Sequence, residues 1–236
     1  MKIFAKSRFF INAFIIYFIA GTIMVPLMLI YKNRRSDILH KYNALIMKLI
    51  GGKIERHGKR DNSADLFVMN HQGVIDIIAM EADENTDIRW IAKKELFELP
   101  WLGNLLKLPE MISIDRENKA GLVKLLKDAK RVKESKPHSV MAIFPEGTRN
   151  PNQKLRKFKS GTKLLAEKLN LKIQPIIITN SKKLLNEHEL TSEPATVHIT
   201  YLDSFTPDKS DKEWFNRLQE QMQEVIDREE SLGRYR

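Results

Sequence analysis

The stretch "DLFVMNHQGVIDIIAM", Asp65 to Met80, decides how the rest of the chain is read. Its first half is a short apolar run that reads as a strand, and its second half reads as the start of a helix. A strand that turns at once into a helix is the building unit of α/β folds, which place their sites at the carboxyl ends of strands. His71 falls at such an end, and Asp76 follows it in the helix. Residues five apart on a regular helix point about 140° apart. The two side chains meet only if His71 lies in the loop and Asp76 in the first turns of the helix. Asp76 then holds one ring nitrogen and leaves the other as a base, the logic of a triad without its serine. A histidine that caps a helix, with an aspartate in the first turn, has the same spacing. The pair alone therefore does not decide.

Outward from this stretch, short apolar runs alternate with longer amphipathic ones. Strands are expected over 53–57, 65–69, 87–92, 110–114, 139–144, 173–179 and 195–202. Helices are expected over 36–50, 75–83, 95–107, 117–134, 160–169 and 211–230. The alternation predicts an α/β fold with a mixed, largely parallel sheet flanked by helices. Gly51-Gly52 ends the first of these helices. In the last one, Trp214, Leu218, Met222, Val225 and Ile226 form one stripe that either packs on the body or docks a partner. The chain divides into an N-terminal basic and apolar part, residues 1–50, and an α/β part, residues 51–236.

The formal net charge is +10, and all of it comes from the first 60 residues, which hold twelve Lys and Arg against Asp37 and Glu55. The remaining residues balance, which argues against a nucleic-acid binder, since such a protein carries its basic excess on the folded domain. The basic residues surround "FFINAFIIYFIAGTIMVPLMLIY", Phe9 to Tyr31, a stretch of 23 residues without a charge. That length spans a bilayer's hydrocarbon core of roughly 30 Å. Positive charge lies on both flanks, in Lys2, Lys6 and Arg8 and in Lys32, Arg34 and Arg35, so the positive-inside rule gives no orientation. Gly21 and Pro26 weaken the middle of a continuous helix. Two arrangements answer this: a single span, or two helices that meet near Gly21–Pro26 and lie in one leaflet with the basic residues on anionic headgroups. A buried helix of a soluble protein is the third. The chain has no cysteine, which excludes a cysteine nucleophile, thiolate metal sites and disulfides. Its six histidines (40, 57, 71, 138, 188 and 198) show no metal-ligand spacing, and "NEHEL" at 186–190 is not His-Glu-x-x-His. No metal or resident cofactor is expected.

Three further stretches carry chemistry. "ISIDREN" puts Asp115 and Arg116 at the end of a strand, and "AIFPEGTRN", Ala142 to Asn150, ends a strand in a tight polar loop with Glu146, Gly147, Thr148 and Arg149. Arginine suits phosphate because its planar fork offers paired donors. "KLRKFKSGTKLLAEK" adds Lys154, Arg156, Lys157, Lys159 and Lys163, as a solvated helix start or an anion-binding rim. Each has a bland reading alone: a surface ion pair, an ordinary turn, a solvated face.

Together, in this order and spacing, His-x4-Asp, Asp-Arg after a strand and Phe-Pro-Glu-Gly-Thr-Arg resemble the glycerolipid acyltransferase family, in its PlsC-type branch. The resemblance runs from about Lys53 to Leu202. "AKKELFELPWLG", Ala92 to Gly103, is similar to the family's segment before its second motif. "LKIQPIII" is similar to its fourth, but offers Pro175 alone where two prolines are usual, and Gly73 stands where serine or asparagine is common. The resemblance implies that His71 is the general base and Asp76 its orienting partner. It implies that Arg116 and Arg149, with Lys93, bind an acceptor's phosphate, and that Glu146, Gly147 and Thr148 shape that site. The implied reaction moves a fatty acyl group from acyl carrier protein or coenzyme A to the sn-2 hydroxyl of lysophosphatidic acid, giving phosphatidic acid. The implied place is a bacterial inner membrane, with the site facing the cytoplasm and anionic lipids as partners. Another acceptor, such as glycerol 3-phosphate or another lysophospholipid, is the alternative within the family. A non-catalytic protein that binds anionic lipid is the alternative outside it, although pure binding needs no base.

Overall fold

The computed structural model describes residues 2–115, 119–135, 138–150 and 152–234. The chain opens with α1 (Lys2–Phe18), a π-helical stretch (Ile19–Met24), α2 (Val25–Ile30) and α3 (Arg35–Leu49). The body follows as β1 (Gly52–His57), β2 (Leu66–Met69), α4 (Val74–Asp83), β3 (Asp87–Lys93), α5 (Lys94–Phe97), α6 (Asn104–Lys107), β4 (Ile112–Ile114), α7 (Lys119–Ser135) and β5 (Ser139–Ile143). It closes with α8 (Ser160–Leu169), β6 (Ile173–Thr179), α9 (Ser181–Leu184), β7 (Ala195–Tyr201) and α10 (Trp214–Ser231).

All seven expected strands form, in one sheet of order β1-β7-β6-β2-β5-β3-β4. Strands β6, β2, β5, β3 and β4 run parallel, and β7 turns antiparallel against β6 while β1 pairs parallel with β7. The sheet is therefore mixed and largely parallel, as expected. Strand β2 shows why its sequence is apolar throughout. Leu66 and Val68 join a core beneath α7, α8 and α10, whereas Phe67 and Met69 join the core on the other face, with α1, α3 and α4. A strand covered on both faces has no polar side to alternate with. The C-terminal stripe packs on the body: Trp214, Leu218, Met222, Val225 and Ile226 are all buried in the first of these cores.

Two expectations change. The segment 95–107 is not one helix. Pro100 interrupts it, Trp101 adopts a left-handed φ of 60°, and α5 and α6 remain as single turns on either side. The N-terminal segment does not reverse near Gly21–Pro26 but continues as one helical run, of which Ile3–Ile30 is long and apolar enough to cross a membrane. The π stretch accommodates the proline. Val25 donates to Ala20 O, a five-residue step. At that step Pro26 faces Gly21 O without an N–H to offer. Trp101 Nε1 donates to Gly21 O instead, at 2.5 Å, so the break in the 95–107 helix fills the gap in the N-terminal one.

This helix lies along the body. Phe9, Asn12, Ile16, Ile19, Met24 and Met28 are buried. Asn12 Nδ2 donates to Ser192 Oγ at 2.8 Å, and Arg8 Nη2 donates to Ile50 O at 2.7 Å. Its other side exposes Phe4, Phe10, Ile11, Phe14, Tyr17 and Phe18. Exposed apolar residues contiguous on that scale mark a contact with lipid or protein.

Candidate active site

Because five strands run parallel, the loops that follow β2, β3, β4, β5 and β6 all emerge at one edge of the sheet. His71 follows β2, Lys93 ends β3, Asp115 follows β4, Glu146 to Asn150 follow β5, and α9 follows β6. That is where α/β sheets hold their ligands.

Asn70 fixes the turn out of β2. Its side chain donates to Ile178 O at 2.8 Å and accepts from Ile178 N at 2.7 Å, continuing the ladder with β6 where the strand itself stops. His71 then lies in the loop and Asp76 in the first turn of α4, as their meeting requires. His71 Nδ1 is 3.0 Å from Asp76 Oδ2, and the same oxygen accepts the N–H groups of Gln72 at 2.5 Å and Gly73 at 2.9 Å. Asp76 is fully buried. A carboxylate only accepts, so Nδ1 carries the proton, and Nε2 keeps a lone pair. The ring lies flat on Phe144, with centroids 3.8 Å apart and planes within 10°, and Phe144 stacks in turn on Trp90. The imidazole is thus held at one edge and one face.

Gly73 at the helix N-cap has no side chain to cap with, so Asp76 reaches back and satisfies the orphan N–H groups there. Its backbone is extended, and a Cβ would meet only Glu187 Oε2, at 3.5 Å. The Gly73 departure therefore leaves the His71–Asp76 geometry intact.

Glu146 is buried, and both carboxylate oxygens are occupied. Oε1 accepts His71 N at 3.1 Å; Oε2 accepts Arg156 N at 2.8 Å and Asn150 Nδ2 at 3.0 Å. Burial raises its pKa against the pull of these donors. It clamps the loops after β2 and β5 together. Gly147 takes a left-handed φ of 74° in the tight turn after Phe144, a conformation that suits glycine. Thr148 and Arg149 are exposed. The basic loop that follows is pinned by α10, where Gln223 accepts Leu155 N at 2.7 Å and Gln219 accepts Phe158 N at 3.0 Å.

The cations are less tightly held. Lys93 Nζ is 3.2 Å from Glu95 Oε1, with both side chains about half exposed. Arg149 Nη1 donates to Glu187 Oε2 at 2.8 Å. Arg116 lies outside the described residues. Sequence reasoning missed the loop after β6, which brings Glu187 to Arg149 and Gly73, and Lys182 to the same edge. Burial lowers the pKa of Lys182, and Asp76 is the largest charge opposing that shift. No motif marks either residue; only the parallel pairing of β6 with β2 places them here.

A histidine oriented by a buried carboxylate, at the carboxyl edge of an α/β sheet, is an arrangement that can take a proton from a bound hydroxyl. This chain belongs to the acyltransferase family, whose model matches residues 53–179. It is 42% identical over 194 residues to the 1-acyl-sn-glycerol-3-phosphate acyltransferase of Helicobacter pylori, covering 81% of each chain. It is 32% identical over 178 residues to the enzyme of that name from Limnanthes alba, covering 73% of this chain and 63% of that one. The crystal structure of the 1-acyl-sn-glycerophosphate acyltransferase PlsC from Thermotoga maritima has the same fold, with a TM-score of 0.77 at 18% identity over 97% of both chains.

Proposed function

We propose that this protein transfers a fatty acyl group from a thioester, carried by acyl carrier protein or coenzyme A, to the sn-2 hydroxyl of lysophosphatidic acid, forming phosphatidic acid. The observation that carries the reading is the His71–Asp76 contact of 3.0 Å on a ring stacked against Phe144, in a chain whose relatives bear that activity in their names. His71 Nε2 takes the proton of the acceptor hydroxyl as its oxygen bonds to the thioester carbon. The tetrahedral intermediate then collapses, the C–S bond breaks, and the thiolate leaves with the proton from the imidazolium. Such a base contributes roughly 10²–10⁴ in rate. The thioester is already activated, so the reading assigns no metal or resident cofactor to this step. Arg149, Lys93 and Arg116 are assigned to the acceptor phosphate, with Gly147 and Thr148 lining the turn that presents Arg149.

Residues 1–50 are read as the membrane anchor and 51–236 as the catalytic unit, on the cytoplasmic face of a bacterial inner membrane. Two loops of the catalytic edge touch the N-terminal helix: Trp101 at Gly21, and the loop after β6, whose Ser192 donates to Ala5 O at 3.0 Å. The exposed aromatic side of that helix would then rest among lipid tails, with Lys6 and Lys32 to Arg34 at anionic headgroups and the site beside the leaflet that holds the acceptor.

An acyl-transfer assay on purified protein tests the activity, with lysophosphatidic acid, glycerol 3-phosphate and a lysophosphodiester as acceptors and both thioesters as donors. Fastest turnover of lysophosphatidic acid is expected. Faster turnover of glycerol 3-phosphate would reassign the acceptor, and no turnover on folded protein would leave a lipid-binding protein. Single cysteines introduced at positions 2 and 34 test the anchoring. In intact cells a periplasm-restricted thiol reagent should miss both; labelling of position 2 alone would mean a span.

A further inference from the structure

Two histidines that the sequence keeps 141 residues apart meet on the far side of the sheet. Strand β1 contributes Glu55 and His57 and strand β7 contributes His198, with Glu55 directly opposite His198 in the parallel register. Val197, Ile199 and Tyr201 of β7 point into the core beneath α1, α3 and α4. His198 therefore points to the opposite face, as does Thr200, which donates to Glu229 of α10. The active-site stack of His71, Phe144 and Trp90 belongs to the first face, because Trp90 and Phe144 pack in that core. The cluster is thus separate from the candidate active site, on strands two and three places away from β2.

We infer that Glu55, His57 and His198 form a binding site for a divalent transition metal of the zinc class. The distances carry the inference. His57 Nε2 is 3.1 Å from His198 Nδ1, His57 Nε2 is 3.5 Å from Glu55 Oε1, and His198 Nδ1 is 3.8 Å from Glu55 Oε2. Zinc bonds to imidazole nitrogen and carboxylate oxygen at about 2.0–2.2 Å, so neighbouring ligand atoms of a tetrahedral site lie about 3.3–3.5 Å apart. The two ring nitrogens and the carboxylate, which turns one oxygen toward each ring, therefore lie within a few tenths of an ångström of the spacing of three corners of such a site. The histidine side chains are 19% and 11% exposed and the Glu55 side chain 54%, so the donors are held on the protein side and the approach is open on the carboxylate side. Two imidazoles and one carboxylate suit zinc and its neighbours better than magnesium or calcium, which prefer oxygen. Without an ion, one ring must donate its N–H to the other to meet at 3.1 Å; an ion lets both offer lone pairs.

The consequence is structural. Strand β1 sits at the end of the sheet with β7 as its one neighbour, and it is the strand that joins α3 to the body. An ion bridging β1 and β7 clips the N-terminal helical segment to the sheet. Because it binds the folded chain only, it stabilises by mass action.

The test uses the full chain in detergent, stripped by a chelator and titrated with Zn²⁺ alone against a chromophoric competitor, with thermal unfolding followed in parallel. One Zn²⁺ per chain and a rise of several degrees in Tm are expected, with no such rise for Mg²⁺. His57→Gln with His198→Gln should abolish the stoichiometric binding and the rise. Glu55→Gln, at an exposed position, should weaken binding about tenfold. Acyl transfer should stay near normal in these variants, which shows that they fold. Should the double variant not fold, each single histidine variant must bind Zn²⁺ more weakly than the parent. Unchanged stoichiometry without either histidine would assign the ion to exposed His138 or His188 and overturn the site, as would the absence of any Zn²⁺-specific rise.

Discussion

His71 and Asp76 have side chains 11% and 0% exposed, whereas Arg149 and Lys93, assigned to the same reaction, are 46% and 51% exposed. The first pair is fixed from several sides: by backbone N–H groups, by Glu146 and by an aromatic stack. Among the described residues Lys93 is held by an exposed carboxylate, that of Glu95, and Arg149 by a partly buried one, that of Glu187. The difference suits the two tasks proposed for them. A general base works only with one tautomer at one angle to the reacting atoms. A phosphate-binding cation needs to reach a ligand that arrives from outside, and an exposed ion pair costs little to exchange because it contributes about 0–1 kcal/mol. Substitutions in the buried half should therefore lower turnover or stability, and those in the exposed half should move acceptor affinity.

The largest effect is expected at His71. His71→Ala should lower kcat by roughly 10²–10⁴ while thermal unfolding and membrane content stay near those of the parent. Asp76→Asn should cost less, because an amide oxygen in the place of Oδ2 still accepts from His71, Gln72 and Gly73, and what is lost is the negative charge that favours the imidazolium. Near-normal turnover of His71→Ala would remove the base from the mechanism and dissolve the contrast.

The next effect is on stability, and it concerns what holds the buried half in place. Helix α4 carries Asp76 in its first turn and Glu81 farther along. Glu81 accepts Trp90 Nε1 at 2.6 Å, and Trp90 supports the Phe144 on which His71 lies. His40 of α3 meets Glu81, with Nδ1 2.8 Å from its carbonyl and 3.0 Å from its carboxylate. Burial alone would lower the pKa of His40, but the hydrogen bond and charge of Glu81 outweigh it and leave the value above the ordinary 6.5. The folded state then binds more protons than the unfolded one. Its contribution is complete below the ordinary value and is lost as pH rises through the raised one. Tm should fall across that window in the parent. His40→Gln should flatten the fall and destabilise by about 3 kcal/mol, since Glu81 stays buried without its counter-charge. A pH profile unchanged by His40→Gln would rule this pair out.

Much of the buried half was legible in the sequence, and the reasons are local. A strand run beside a helix start fixes where His71 and Asp76 fall, and Phe-Pro-Glu-Gly-Thr-Arg fixes the loop that faces them. What could not be read depends on pairing at a distance. Glu187 reaches Arg149 because β6 lies parallel to β2, and His57 reaches His198 because β1 lies parallel to β7. Neither contact leaves a spacing in the chain. The expected 95–107 helix failed for a similar reason. Its helical periodicity is real, but Pro100 breaks it, and Trp101 is used elsewhere, at the carbonyl that Pro26 leaves unpaired.

In the exposed half, Arg149→Ala should raise the acceptor KM about tenfold, the scale of a charge-assisted hydrogen-bonded contact of 1.5 kcal/mol or so. The donor KM should change much less. Arg149→Lys should rescue only in part, because lysine offers a point charge and no fork. Equal shifts in both KM values would mean that Arg149 supports the fold of the site rather than the acceptor.

The smallest effect is expected at Glu187, and it has the opposite sign. Its carboxylate accepts from Arg149 Nη1 at 2.8 Å, so an incoming phosphate must take its place. With the Arg149 side chain 46% exposed, that pair is worth at most about 1 kcal/mol. Glu187→Gln removes a competitor of that strength and should lower the acceptor KM by a factor of up to about five, with kcat nearly unchanged. The gain should be greatest at low salt, where the competing charges are least screened. It should vanish in the Arg149→Ala background, because nothing remains to compete for. A rise in KM for Glu187→Gln would show instead that the carboxylate positions Arg149, and the exposed half would then be preorganised like the buried one.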